Sequence, residues 1–406
     1  MRDLSLAVLA TIVALAGCGM SARPAETTSG GGVEIVQNAA FDAWLTGFRP
    51  RALAAGLPEP VVSRALGGAG YIPEVIEKDR NQAESNLTYA AYFARIVSEE
   101  RVANGRAALR AREAAFRGLE AQYGVPAGVV AAIWGMESAY GTRRGDFPVV
   151  SALATLAHDG RRGAFFEGQL IDALRIIAAG EVSPERMLGS WAGAMGHTQF
   201  IPSSYLSLAV DGTGDGRRDI WGDDPTDALA STANYLARSG WRTGEPWGLE
   251  VRLPSGYAGP TGARSAGDWA ALGVARADGG ALGGLPEGRL FLPTGAEGPA
   301  FLVFRNFDVI KRYNNADIYA LAVGHLSDRL AGAGGLRVQF PGAEEILSPP
   351  ELRELQERLT ARGYDTGGVD GMMGGDTEAA VRAYQTAEGL LADGRATPAL
   401  LARLRR

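Results

Sequence analysis

The segment Val129-Val-Ala-Ala-Ile-Trp-Gly-Met-Glu-Ser-Ala-Tyr-Gly141 holds a single carboxylate, Glu137, at the end of an otherwise apolar run. Pro126 suits the first turn of a helix and Gly141 its C-terminal stop, which predicts a helix with Glu137 in the last turn. There the helix dipole opposes a negative charge, and apolar neighbours such as Ile133, Trp134 and Met136 disfavour ionisation further. A carboxylic acid kept protonated near neutral pH is what cleavage of a glycosidic bond needs, because the leaving oxygen must take a proton. Taken alone, the same Glu also reads as a partly exposed residue finishing a core helix. A second segment changes the balance: Ser190-Trp-Ala-Gly-Ala-Met-Gly-His-Thr-Gln-Phe-Ile-Pro-Ser-Ser-Tyr205.

At 406 residues the chain has room for about two to three domains. A hydrophobic share of 46% with 21% charged residues is ordinary globular composition. The net charge of −6, with basic residues mostly in short pairs (Arg143-Arg144, Arg161-Arg162, Arg217-Arg218), argues against a nucleic-acid partner. The lone cysteine, Cys18, follows Leu15-Ala-Gly17 at the end of an apolar stretch from Leu4. That stretch is too short for a mature bilayer span and has the size of a signal-peptide core. Leu-Ala-Gly-Cys spells a lipobox, so residues 1–17 are expected to be removed and Cys18 acylated. A single Arg2 in the leader, cancelled by Asp3, weakens that reading slightly. Gly19 in place of Asp favours the outer membrane, with residues 18–34 as a tether.

From Phe41 to Gly141 apolar residues recur at three- and four-residue spacing, and the stretch Ala107 to Tyr123 predicts one long amphipathic helix. Helical patterning continues over Phe165–Ala179, Asp227–Ser239 and Asp317–Leu330. Gly248–Leu253 and Pro299–Phe307 are β-like, joined by a Gly-rich connection from Gly256 to Gly288. Residues 331–346 read as a linker. Beyond it, turn pairs (Asp370-Gly371, Asp393-Gly394) and spaced leucines specify a small helical bundle over 347–406.

The Glu137 segment and the Ser190–Tyr205 segment together resemble the membrane-bound lytic murein transglycosylase B family. Gly135-Met-Glu-Ser-Ala-Tyr-Gly141 fits its acid motif, and residues 190–205 fit its second motif throughout. From Leu347 the chain resembles the small peptidoglycan-binding domain found beside cell-wall enzymes. The resemblance implies a mainly α (α+β) protein: a lysozyme-like helical catalytic domain over 35–330, a small β-containing insertion at about 243–307, and the C-terminal helical bundle. It implies cleavage of the β-1,4 bond between N-acetylmuramic acid and N-acetylglucosamine in peptidoglycan, leaving 1,6-anhydro-muramic ends. The second motif offers no carboxylate as a partner for Glu137, and Asp146, Asp159 and Glu167 are the nearest alternatives in sequence. A transglycosylase resolves the shortage, since the substrate's own C6 hydroxyl attacks and one group serves as acid and then base. A hydrolytic muramidase and a non-catalytic cell-wall lipoprotein are the rival readings.

Carried over by position, the resemblance gives Ser190 and Gln199 hydrogen bonds to the sugar chain. It assigns Tyr235, Tyr313, Asn314, Tyr319, Arg161 and Arg162 to the substrate. Core packing for the tyrosines and a solvated pair for the arginines compete with that assignment. No organic cofactor is implied. Asp211-Gly-Thr-Gly-Asp-Gly-Arg217 spells the first half of a calcium loop, with oxygens from Asp211, Thr213, Asp215 and the Arg217 carbonyl. Position twelve is Gly222 rather than Glu; the family closes its loop with a later Asp, and the resemblance aligns that residue with Asp227, with Asp223 or Asp224 as alternatives and a metal-free turn as the competing reading. The partners implied are glycan strands, the outer membrane through the lipid, and other cell-wall enzymes. His158, His197 and His325 lack metal-ligand spacing and read as structural or groove-lining.

Overall fold

The computed structural model describes residues 33–81, 87–341 and 347–406. Cys18 and the leader lie outside the described residues. Helices α1 (Ala39–Ala54), α2 (Glu59–Gly67), α3 (Pro73–Arg80), α4 (Tyr89–Ile96), α5 (Glu99–Ala111), α6 (Glu113–Tyr123) and α7 (Ala127–Ser138) come first. Strand β1 (Phe147–Pro148), α8 (Val149–Asp159), α9 (Gly163–Ala178), β2 (Leu188–Gly189), α10 (Pro202–Leu208) and α11 (Thr226–Arg238) follow. Then come β3 (Gly248–Arg252), α12 (Ala266–Ala271), β4 (Ala275–Arg276), β5 (Arg289–Phe291), β6 (Ala300–Val303), α13 (Arg305–Tyr313) and α14 (Asp317–Leu330). The chain closes with α15 (Pro349–Ala361), α16 (Gly375–Ala387) and α17 (Pro398–Leu404). Among the described residues no helix is long and apolar enough to cross a membrane.

The chain divides into two compact units, one built from residues 1–84, 99–240 and 313–315, the other from 85–98, 241–312 and 316–406. In the first unit α7 is the central element. Every residue from Val129 to Ser138 is buried, as expected of a helix that is apolar all round. Helices α5, α6 and α11 pack on it. Ala107–Tyr123 is two helices rather than one: Arg112 leaves helical geometry at φ −129° and ψ 30°. The break lets α5 and α6 each lie on α7, with the Arg112 guanidinium 5.5 Å from the centre of the Trp134 ring.

In the second unit the antiparallel order β4-β3-β6-β5 places Leu249 opposite Leu302 and Phe301 opposite Phe291. One face closes over Val251, Trp269, Leu290 and Leu302. The Gly-rich connection contains α12, β4 and a bridge between Arg264 and Gly288. The β-like reading of Pro299–Phe307 holds only to Val303, because α13 starts at Arg305. The described part of the stretch read as a linker, residues 331–341, is fastened at several points. The backbone N–H groups of Arg337 and Val338 donate to the Glu250 carboxylate at 2.8–3.0 Å. Phe340 packs edge-on against Phe93 at 4.8 Å. In the C-terminal bundle Leu355, Leu359, Val381, Leu401 and Leu404 form the core. Its 390–392 turn meets the sheet: Leu391 packs on the sheet core and Thr261 Oγ1 donates to the Ala392 carbonyl at 2.9 Å.

Candidate active site

Glu137 is the penultimate residue of α7 and is 6% exposed. The helix ends abruptly behind it, with Ala139, Tyr140 and Gly141 all left-handed at φ 48°, 59° and 86°. Two non-glycine residues in that region cost about 1–3 kcal/mol each, so the surroundings must impose the turn. They do so from several directions. The Tyr140 hydroxyl donates to the Arg101 carbonyl at 3.0 Å, and its ring fills the space beside Gly135, where a Cβ would come within 2.5 Å of it. Ser138 Oγ donates to the His197 carbonyl at 2.5 Å and accepts from the Gly141 N–H at 3.0 Å. The residue after the acid therefore bolts the first motif to the second.

His197 is neutral in this arrangement. Trp134 Nε1 donates to its Nδ1 at 3.2 Å, which leaves Nε2–H to donate to the Gly222 carbonyl at 2.8 Å. Burial lowers its pKa, and Arg144 and Arg112 nearby lower it further. Arg144 secures the same loop, donating to the Trp221 and Gly222 carbonyls at 2.8 and 2.5 Å.

The second motif is a compact loop. Ser190 Oγ accepts from the Ala194 N–H at 3.1 Å, and Met195 and Phe200 form a bridge. Gln199 is held at φ 54°, with Nε2 donating to the carbonyls of Arg144 at 3.0 Å and Gly196 at 2.8 Å. Its Oε1 is buried and accepts no hydrogen bond from the described residues. Tyr235 and Tyr313 lie 4.9 Å apart, each 5.9 Å from Phe200. The Tyr313 hydroxyl donates to the Thr198 carbonyl at 2.6 Å. Burial raises its pKa well above the usual value, and the Glu137 charge raises it again, which puts the two side chains within electrostatic reach. Glu137, Gln199, Tyr235 and Tyr313 thus belong to one neighbourhood of the first unit, in which Asn314 is also buried. Tyr319 is a buried residue of α14, in the second unit.

Arg161 and Arg162 have structural partners. Arg161 grips Asp79, itself 3% exposed, through Nε at 2.8 Å and Nη2 at 2.5 Å. Arg162 lies over the Phe165 ring at 4.4 Å, and burial lowers its pKa. The next three carboxylates after Glu137 along the chain are placed otherwise. Glu167 is bidentate on Arg51 at 2.8 and 3.0 Å, Asp159 pairs with Arg80 at 2.7 Å, and Asp146 is exposed. Sequence reasoning missed Ser138 and Arg144. The first sat unremarked inside the Glu137 motif, and the second counted only as half of a basic pair.

Residues 40–328 match the family of the transglycosylase SLT domain. The chain belongs to that family. It is a lytic transglycosylase that acts on peptidoglycan, and residues 348–404 match a peptidoglycan binding domain. The chain is 31% identical over 292 residues to membrane-bound lytic murein transglycosylase B of Escherichia coli (strain K12), covering 68% of this chain and 79% of that protein. SltB3 of Pseudomonas aeruginosa, solved in complex with NAG-NAM-pentapeptide and with NAG-anhNAM-pentapeptide, is 46% identical with a TM-score of 0.83. That match covers 91% of this chain and all of the other. The Escherichia coli lytic transglycosylase Slt35 in complex with calcium is 29% identical with a TM-score of 0.62, over 74% of this chain and 95% of that one.

In this transglycosylase the loop before α11 gathers the carboxylates of Asp211, Asp215 and Asp227, with one oxygen of each within 4.8 Å of the others. Asp227 is buried, and burial raises its pKa although three backbone N–H groups donate to it. Asp211 accepts from the N–H groups of Gly214, Asp215 and Gly216 and from Thr213 Oγ1, and its pKa falls, with Gly216 the largest cause. Arg217 donates its N–H to Asp215 Oδ1 at 2.9 Å. The alternative closures are occupied elsewhere. Asp223 faces Arg144 at 3.3 Å, and Asp224 accepts from Thr226 at the start of α11. Three converging oxygen-bearing groups on a loop whose backbone is already wrapped by carboxylates fit a hard cation such as calcium.

Proposed function

We propose that Glu137 alone performs the acid and base steps and that the products carry 1,6-anhydro-muramic ends. The observation that carries this reading is a carboxyl group buried in the last turn of an apolar helix, in one neighbourhood with Gln199, whose Oε1 is buried and accepts no hydrogen bond from the described residues. Glu137 gives its proton to the glycosidic oxygen as that bond breaks. The C6 hydroxyl of the same muramic residue then bonds to the anomeric carbon, and its proton returns to Glu137. Nothing is added and nothing is lost beyond the cleaved bond, so the product is lighter by one water than a hydrolysis product. Ser190, Gln199, Tyr235, Tyr313, Asn314 and Tyr319 bind the glycan in this reading. The Oε1 of Gln199 is the strongest of them, since a buried acceptor without a partner is what a sugar hydroxyl or N-acetyl N–H satisfies. The complex of the related SltB3 with an anhydro-muramic ligand supports the same product. Mass analysis of muropeptides released from purified sacculi tests it: reducing ends in place of anhydro ends would make the enzyme a muramidase.

Arg161 serves this site at most indirectly, by holding Asp79. A calcium ion on Asp211, Thr213, Asp215, the Arg217 carbonyl and Asp227 is a structural brace that supplies no chemistry to the reaction. The calcium complex of Slt35 supports it. Acylation of Cys18 would hold the enzyme at the periplasmic face of the outer membrane. The lipobox supports this, as does the membrane-bound relative. Palmitate labelling that fails to mark the wild type overturns it.

A further inference from the structure

The C-terminal bundle carries a cavity of about 530 Å³ lined by Arg362, Tyr364, Tyr384, Glu388, Arg403 and Arg406. Three helix ends meet there. Arg362 follows the last residue of α15, Glu388 follows that of α16, and Arg403 is in the last turn of α17. Helix C-termini present carbonyl oxygens and a partial negative charge. The arginines at the same ends bring guanidinium donors, so the rim offers both signs of charge within one small opening.

The donors are only partly consumed. Arg362 places Nη2 on the Leu404 carbonyl at 2.8 Å and Nη1 on the Arg358 carbonyl at 3.1 Å, which uses two of the five donors a guanidinium carries. Arg403 directs Nε and Nη2 to the same Glu388 oxygen, at 3.3 and 3.1 Å, leaving its Nη1 and the other Glu388 oxygen for a visitor. The aromatic floor is not a sugar platform. Tyr384 is 5% exposed and packs at right angles to Tyr364 at 5.7 Å, so its ring does not lie open for a pyranose to stack on.

We propose that this cavity is where the binding domain takes a peptidoglycan stem peptide, through a terminus or side chain bearing both a carboxylate and an ammonium group, as a diamino acid does. The carboxylate sits on Arg403 and Arg362, and the ammonium sits on Glu388 and the helix-end carbonyls. The inference rests on the reading of residues 347–406 as a wall-binding module.

The test is calorimetric titration of the full chain, carrying Glu137→Gln to prevent turnover, with a sugar-free stem pentapeptide that contains a diamino acid. Arg403→Ala should weaken binding about tenfold, the scale of one charge-assisted pair. Raising the salt should weaken binding to the parent. Acetylating the peptide's free amine should weaken binding to the parent but make no difference to Glu388→Gln, a pattern that misfolding cannot produce. Arg403 and Glu388 are 46% and 40% exposed, so neither change touches the bundle core. Affinities within twofold of the parent for both Arg403→Ala and Glu388→Gln overturn the proposal. Hydrogen exchange with soluble muropeptides separates the two failures. Protection elsewhere in 347–406 rejects the cavity and keeps the module as a binder, whereas no protection anywhere in 347–406 rejects the module itself.

Discussion

Buried glutamines separate the catalytic neighbourhood from the C-terminal bundle. In the bundle, Gln356 Nε2 lies 3.0–3.1 Å from Asp370 Oδ1, the Met372 carbonyl and Thr377 Oγ1, which share its two hydrogens, and its Oε1 accepts from the Gly371 N–H at 2.8 Å. Gln385 does the same on a smaller scale, donating to Asp393 at 2.7 Å and accepting from Gly394 at 2.8 Å. Each fixes a turn close by in the chain, and neither has a buried side-chain atom without a partner. In the catalytic unit, Gln199 sits in a left-handed conformation, braces a carbonyl 55 residues away and keeps an unused acceptor. The buried interior of the bundle satisfies its polar groups, whereas the catalytic neighbourhood keeps strain and an open acceptor that neighbouring structure must support.

The largest effect that follows is on Glu137. Glu137→Gln keeps the shape but removes the proton donor, so turnover on sacculi should fall by at least ~100-fold while the melting temperature holds. A variant that retains activity would remove the catalytic unit from the comparison altogether. The glutamines themselves come next. Gln356→Leu leaves the Gly371 N–H and its neighbours unpaired and should cost roughly 2–4 kcal/mol in denaturant unfolding, with turnover of soluble fragments nearly unchanged. Gln199→Leu should do the reverse, lowering kcat/KM by ~10-fold or more for a smaller loss of stability. Equal stability losses with equal kinetics would break the distinction.

A third prediction asks whether burial alone makes an acid functional. Asp328 on α14 is largely buried, and desolvation raises its pKa to about 6 although Trp247 Nε1 donates to it at 3.1 Å. A raised carboxyl pKa favours the folded state at low pH, and that contribution is lost as pH rises through about 6. By neutral pH the loss is on the order of 3 kcal/mol against an unfolded value near 3.9. Asp328→Asn keeps an acceptor for Trp247 and escapes the loss. It should melt higher than the parent at about pH 7.5 and equally at about pH 4. His325, whose pKa burial lowers to about 4, is common to both proteins. Equal melting at both values would mean that Asp328 is solvated. The smallest effect is calcium's. Adding it should raise the melting temperature by a few degrees, as a ligand of the native state does, with turnover at low temperature unchanged. Asp211→Ala should abolish the shift.

The helices were legible where periodicity and punctuation agree. Asp317–Leu330 runs between the predicted residues, and α7 begins just after Pro126. The break at Arg112 was not, because nothing local interrupts that pattern; two helices packing on α7 require it. The strand after Pro299 was read too long because Phe304 and Phe307 are as apolar as the strand, and only burial against other elements decides which state they take. The aspartates of residues 211–227 could be counted in the sequence, but which of them converge depended on where α11 starts and on what Arg144 already holds.

The sequence by itself determined the chemistry on offer: one carboxylate at the end of an apolar helix, a polar motif without an acid, an acidic loop and an apolar N-terminal stretch followed by Cys18. Those are matters of residue type and spacing, which the linear chain carries in full. Only the tertiary structure decided which groups work together. Ser138 reaches His197 across 59 residues, Gln199 reaches Arg144 across 55, and Tyr313 reaches Thr198 across 115. No local pattern encodes such contacts, because each depends on packing that brings distant segments within about 3 Å of one another. Arg161 shows the same limit from the other side. Its motif suggests a substrate contact, and the buried Asp79 that claims it is 82 residues away.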